Sequence, residues 1–92
     1  MQARRIKIEK SFVSSLKKVP QQVRQKVDDC LKHFIDRDAE HSLRPEPKSG
    51  FKNVWTIRLT RGYRAFYSQE TDEQGTYSSF FFVGDHDSYH RF

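Results

Sequence analysis

Ninety-two residues with 35% hydrophobic and 32% charged content suffice for a single domain, 1–92, with a thin core. Eight Phe, four Tyr and one Trp supply its bulk, because each aromatic buries about 150–250 Å², and that excludes a disordered chain. The net charge of +5 suggests an anionic partner. The lone Cys30 excludes an internal disulfide and fits a reducing cytoplasm, and the longest apolar run, Phe80 to Val83, is too short for a signal peptide or a membrane span.

Arg5-Ile6-Lys7-Ile8 alternates as a short half-buried strand. Phe12, Leu16 and Val19 recur at helical spacing, with Ser11 as the expected N-cap and Val19 as the end before Pro20. Pro20 suits the first turn of a second helix, whose stripe is Val23, Val27, Cys30, Leu31, Phe34 and Ile35. Residues 36–53 show no sustained period and read as a long loop, functional or mobile, containing Arg44, Lys48 and Lys52.

Val54 to Thr60 alternates as a strand, with Trp55, Ile57 and Leu59 on one face and Thr56 and Arg58 on the other. Tyr63 to Ser68 returns. A three-residue loop, Thr60-Arg61-Gly62, with Gly62 left-handed, places Arg58 opposite Arg64. A two-residue loop would split the arginines between faces; the first register is preferred because it keeps one side apolar. Gln69 to Gly75 reads as an acidic turn. Tyr77 to Gly84 reads as a central strand, apolar on both faces from Phe80 to Val83. The expected class is α+β, in the order β-α-α-β-β-β, with an antiparallel-rich sheet and a helical hairpin on one face.

Arg58 and Arg64 are the first candidate site residues, because guanidinium forks suit a phosphate and an anion between them relieves their repulsion. The other reading is that each snorkels or pairs with an acid such as Asp85 or Asp87. His86, Asp87, Tyr89 and His90 follow the last strand, where acid–base groups would be useful, or else form a solvated tail. His86, Asp87 and His90 could also ligate a metal, but no further ligand is evident, so neither a metal nor another cofactor is expected. There is no nucleophilic serine motif and no glycine-rich phosphate loop.

Trp55-Thr56-Ile57-Arg58-Leu59, Gly62-Tyr63-Arg64-Ala65-Phe66-Tyr67 and Val83-Gly84-Asp85-His86-Asp87 resemble the RelE/ParE superfamily of toxins from bacterial type II toxin–antitoxin modules. The resemblance covers nearly the whole chain and implies the RelE-like fold. It favours the RelE-like branch, whose members are ribosome-dependent mRNA endoribonucleases that inhibit translation without a metal. On that resemblance Arg64 contacts the reacting phosphate and Arg58 supports it. His86 serves as general acid or base, with Tyr89 as its partner or a stacking group and Asp87 orienting a histidine. Arg61, Lys48 and Lys52 join Arg58 and Arg64 in holding RNA.

The implied partners are a cognate antitoxin, the ribosome and mRNA, with operator DNA reached only through the antitoxin and no membrane. Thr56 departs from the pattern, since some RelE-like members have a catalytic lysine there. HigB-like and YafQ-like relatives use histidine-based sites instead. The alternatives are a ParE-like gyrase poison that shares the fold and does not cut RNA, and a non-catalytic binding module.

Overall fold

The computed structural model describes residues 5–36, 43–48 and 50–85. Its elements are β1 (Ile6–Ile8), α1 (Lys10–Leu16), α2 (Gln21–Ile35), β2 (Glu46–Pro47), β3 (Val54–Arg58), β4 (Tyr63–Asp72) and β5 (Gly75–Asp85). They form one five-stranded sheet in the order β1-β5-β4-β3-β2. Only β1 runs parallel to its neighbour; the other three pairings are antiparallel. The α+β class and the helical layer on one face are as the sequence predicts. So is the central place of β5, between β1 and β4.

The helical side holds the core. Phe12 from α1 and Val23, Val27, Cys30 and Phe34 from α2 meet Ile57, Ala65, Tyr67, Phe80 and Val83 from the sheet. Phe34 is fully buried and stands edge-on to both Tyr67 and Phe80, with ring centroids at 4.9 and 5.1 Å. Burial pushes the Cys30 thiol up to about 12, so it packs as a small apolar group and is no nucleophile near neutrality. No helix among the described residues is long and apolar enough to cross a membrane.

Several local expectations change. Ser11 is not the cap of α1. The chain turns two residues earlier, Glu9 occupies the cap, and the Ser11 hydroxyl donates to the Phe81 carbonyl at 2.6 Å. The helix stops at Leu16, after which Lys18 and Val19 donate to carbonyls three residues back, tightening the chain ahead of Pro20. Pro20 is itself the cap of α2, and its carbonyl accepts from Val23 and Arg24.

The segment read as a long loop contains a short edge strand, β2, pairing Glu46 with Thr56 and Pro47 with Trp55. Proline is tolerated there because an edge position spares it one ladder bond. The acidic turn after Gln69 shrinks to Glu73-Gln74, with β4 and β5 running up to it on either side. Asp72 accepts from the Gln74 N–H at 2.8 Å, and Gly75 takes φ +116.

A bulge interrupts the β4/β5 ladder. Phe66 pairs with Phe82 but Tyr67 pairs with Phe80, so Phe81 is the extra residue. Side chains two apart on a strand normally share a face. Here the bulge resets that alternation. Phe80 enters the helical core, Phe82 pairs with Phe66 on the opposite face, and Val83 returns to the core.

Candidate functional site

The face away from the helices carries the candidate site. Arg58 pairs with Arg64 across β3 and β4, and Ile57 pairs with Ala65 on the core side. This is the register the three-residue loop predicts, and Leu59 N–H closes it on the Tyr63 carbonyl at 3.0 Å. Gly62, however, does not adopt a left-handed conformation; the positive-φ glycines among the described residues are Gly50 and Gly75. The loop closes without it because Thr60 N–H shares the Tyr63 carbonyl with Leu59.

Arg58 is exposed, and Arg64 is partly covered with its side chain 28% accessible. Gly84 lies opposite Arg64 on β5, so the residue paired with it there carries no side chain. Arg64 Nη1 stands 3.5 Å from Thr56 Oγ1 and 3.8 Å from Glu46 Oε2. The Thr56 hydroxyl in turn points at the Glu46 carbonyl at 3.5 Å. Glu46 is therefore one partner of Arg64; Asp85 pairs in register with Tyr63, the residue before Arg64.

Glu46 is the residue that sequence reading passed over. It sits between two prolines in a segment without periodicity, and β2 alone brings its carboxylate to the arginines. The usable signal was the Pro-Glu-Pro run, which holds an extended backbone and leaves one charged side chain to project. At 69% exposure that carboxylate is open to a ligand. An exposed ion pair of this length is worth about 0–1 kcal/mol, so an arriving phosphate can replace it at little cost.

The other candidates divide. Arg61 in the β3/β4 loop and Lys52 in the β2/β3 loop are exposed. Lys48 is 5% accessible, with its ammonium 4.8 Å from the Phe51 ring centroid, so it is withdrawn from solvent. His86, Asp87, Tyr89 and His90 lie outside the described residues. Among the described residues no three of His, Cys, Asp or Glu group together to hold a metal ion.

A hollow of about 470 Å³ opens between α1 and the end of β5, lined by Ser11, Ser14, Lys18, Tyr63 and Asp85 among others. It contains neither the arginine pair nor Glu46, and the Ser11 hydroxyl is committed to the sheet backbone.

At the level of sequence, no family model matches the chain, and no curated protein is similar enough to count as a match. Solved structures do match in fold. A chain of the RelB–RelE antitoxin–toxin complex from Methanococcus jannaschii superposes with a TM-score of 0.70 at 20% identity, over 92% of this chain and 95% of that one. The archaeal RelE–RelB complex from Pyrococcus horikoshii gives 0.65 at 16% identity, over 91% and 96%. A YoeB/ParE toxin from Agrobacterium tumefaciens gives 0.61 at 16% identity, over 89% and 98%. At these identities the likeness is one of fold.

Proposed function

We propose that this chain is the toxin of a type II toxin–antitoxin pair and that it cleaves mRNA on the ribosome. The observation that carries this reading is the cluster of Arg58, Arg64 and the exposed Glu46 carboxylate on the sheet face free of helices. The fold likeness to two antitoxin–toxin complexes supports it and suggests a cognate antitoxin as the partner.

RNA supplies its own nucleophile. The 2′-oxygen attacks the adjacent phosphorus, the P–O5′ bond breaks, and a 2′,3′-cyclic phosphate and a 5′-hydroxyl result. The step needs a base for the 2′-hydroxyl proton, cations for charge developing on the phosphoryl oxygens, and an acid for the leaving O5′. Arg64 holds the reacting phosphate, with Arg58 beside it. As the phosphate takes over Arg64, the displaced Glu46 carboxylate is free to accept the 2′-hydroxyl proton. His86 protonates the leaving oxygen, Asp87 orients it, and Tyr89 assists or stacks. Arg61 and Lys52 hold flanking phosphates. Thr56, in place of a lysine, leaves the basic role to the carboxylate.

The test is induced expression followed by mapping of mRNA 5′ ends. Cuts in register with the reading frame are expected, weakened about 10²–10³-fold by Arg64→Ala. Glu46→Gln and His86→Ala should each lower the rate about 10²–10⁴-fold. Full cleavage by the Arg64 variant would sink the assignment. Intact mRNA with broken DNA would select the gyrase-poison reading, which the likeness to a YoeB/ParE toxin keeps in play.

A further inference from the structure

We propose that Phe51 is a stacking platform for a base of the bound RNA strand, next to the nucleotide whose phosphate Arg64 holds. The proposal rests on the nuclease reading above. Phe51 is one of three large hydrophobic side chains exposed among the described residues, at 39%, and it sits in the loop between β2 and β3. Its place is fixed. Gly50 takes φ +86, and the Phe51 N–H closes the turn onto the Lys48 carbonyl at 3.2 Å.

The loop also has a defined side. Lys48 N–H donates to the Val54 carbonyl at 2.8 Å, continuing the β2/β3 ladder one residue past Pro47 and Trp55. Alternation then puts the Lys48 side chain on the face of Glu46, which is the arginine face. The Phe51 ring is drawn to that side by the Lys48 ammonium, 4.8 Å from its centroid. A cation against one face of a ring draws its π density and leaves the ring suited to an electron-rich base on the other. The next residue, Lys52, is exposed and can take a phosphate of the same nucleotide.

Spacing sets which base is involved. Val54 and Arg58 are four residues apart on β3, about 13 Å along the strand. The stacked base therefore belongs to a nucleotide flanking the scissile one. Stacking accepts any base, so Phe51 contributes affinity and strand placement more than sequence choice.

The bland role for Phe51 would be to fix Lys48 in place, and the experiment separates the two. A labelled single-stranded RNA hexamer is titrated into the Glu46→Gln protein, which leaves the RNA intact, with Phe51 varied on that background. Phe51→Ala and Phe51→Leu should weaken binding about 5- to 100-fold, with Phe51→Trp restoring it to within about twofold. The slope of log Kd against log salt should not change for Phe51→Leu, while Lys52→Ala should lower it by about one. Melting curves recorded beside each titration establish that the variants are folded.

Binding within about twofold for Phe51→Leu overturns the proposal, and so does a salt slope that falls with the affinity. Unchanged RNA binding with a weakened antitoxin complex also overturns it and assigns Phe51 to a protein interface. No RNA binding by the protein carrying Phe51 overturns the proposal too, while the nuclease reading is decided separately by the mapping of mRNA 5′ ends.

Discussion

Ser15 shows how much can hang on one small side chain. It lies on the buried face of α1, where an apolar residue would be expected, and is 7% accessible. Its hydroxyl donates to the Phe12 carbonyl and accepts from the Val83 N–H, both at 2.9 Å. That second bond ties the helix to β5 one residue before Gly84, the residue opposite Arg64. Ser15→Ala leaves the Val83 N–H buried without that acceptor, which should cost about 1–3 kcal/mol. Denaturant titration checks it; a loss well below that range would mean another acceptor serves the Val83 N–H. Glu46 has the opposite character, being exposed and weakly paired, so on the proposed function Glu46→Gln should lower cleavage while leaving the unfolding midpoint nearly unmoved.

Among the elements, β1 depends most on charge. It is three residues long and occupies a sheet edge. Arg5, just before it, donates to both Asp72 carboxylate oxygens, to Gln74 and to the Gly75 carbonyl, and lies over the Tyr77 ring. Glu9, just after it, accepts from the Ser79 hydroxyl and pairs with Lys7. The hydrogen bond from Arg5 holds Asp72 below its ordinary value of 3.8, and the bond from Ser79 holds Glu9 below 4.5. A carboxylate whose pKa falls on folding stabilises the native state above its unfolded value and ceases to as pH drops through its folded value. Stability should thus hold above about pH 4.5 and decline below it, and Asp72→Asn should flatten part of that decline in denaturant titrations at about pH 3.

The elements also differ in how plainly the sequence announces them. The stripe of α2 and the Arg58/Arg64 register were legible, because one long period and one apolar strand face leave a single arrangement that buries Ile57 with Ala65. β2 was not, since two residues carrying a proline have no alternation to read. The start of α1 was set by where β1 releases the chain, which overrode the local preference of Ser11 for a cap. The shift at Phe81 was hidden because Phe80, Phe81 and Phe82 are chemically identical, so the pattern is blind to which of them changes sides.

At the scale of the molecule, the sheet works as a partition with two different tenants. One side is filled by helices; the other brings arginine, carboxylate and aromatic groups from β2, β3, β4 and the β2/β3 loop onto one surface. On the proposed function, an acidic or amphipathic antitoxin segment laid over that surface would silence it by occupancy alone. The bulge at Phe81 decides the side on which the strand's end emerges. Phe81 itself is only half-buried and is the extra residue of the ladder, so Phe81→Thr should fold with a modest loss of stability, whereas inserting one residue between Phe82 and Val83 should not yield a native protein. Melting temperature and soluble yield of the two variants measure the difference, and equal behaviour would remove the bulge from any role in placing the site. The chain's length at this point is therefore more constrained than its chemistry: position 81 can drift in composition, but a gain of one residue between Phe82 and Val83 would turn Val83 out of the core and Gly84 away from Arg64. An insertion in β5 beyond the bulge is thus the kind of lesion that would dismantle the arginine face while leaving its residues present in the gene.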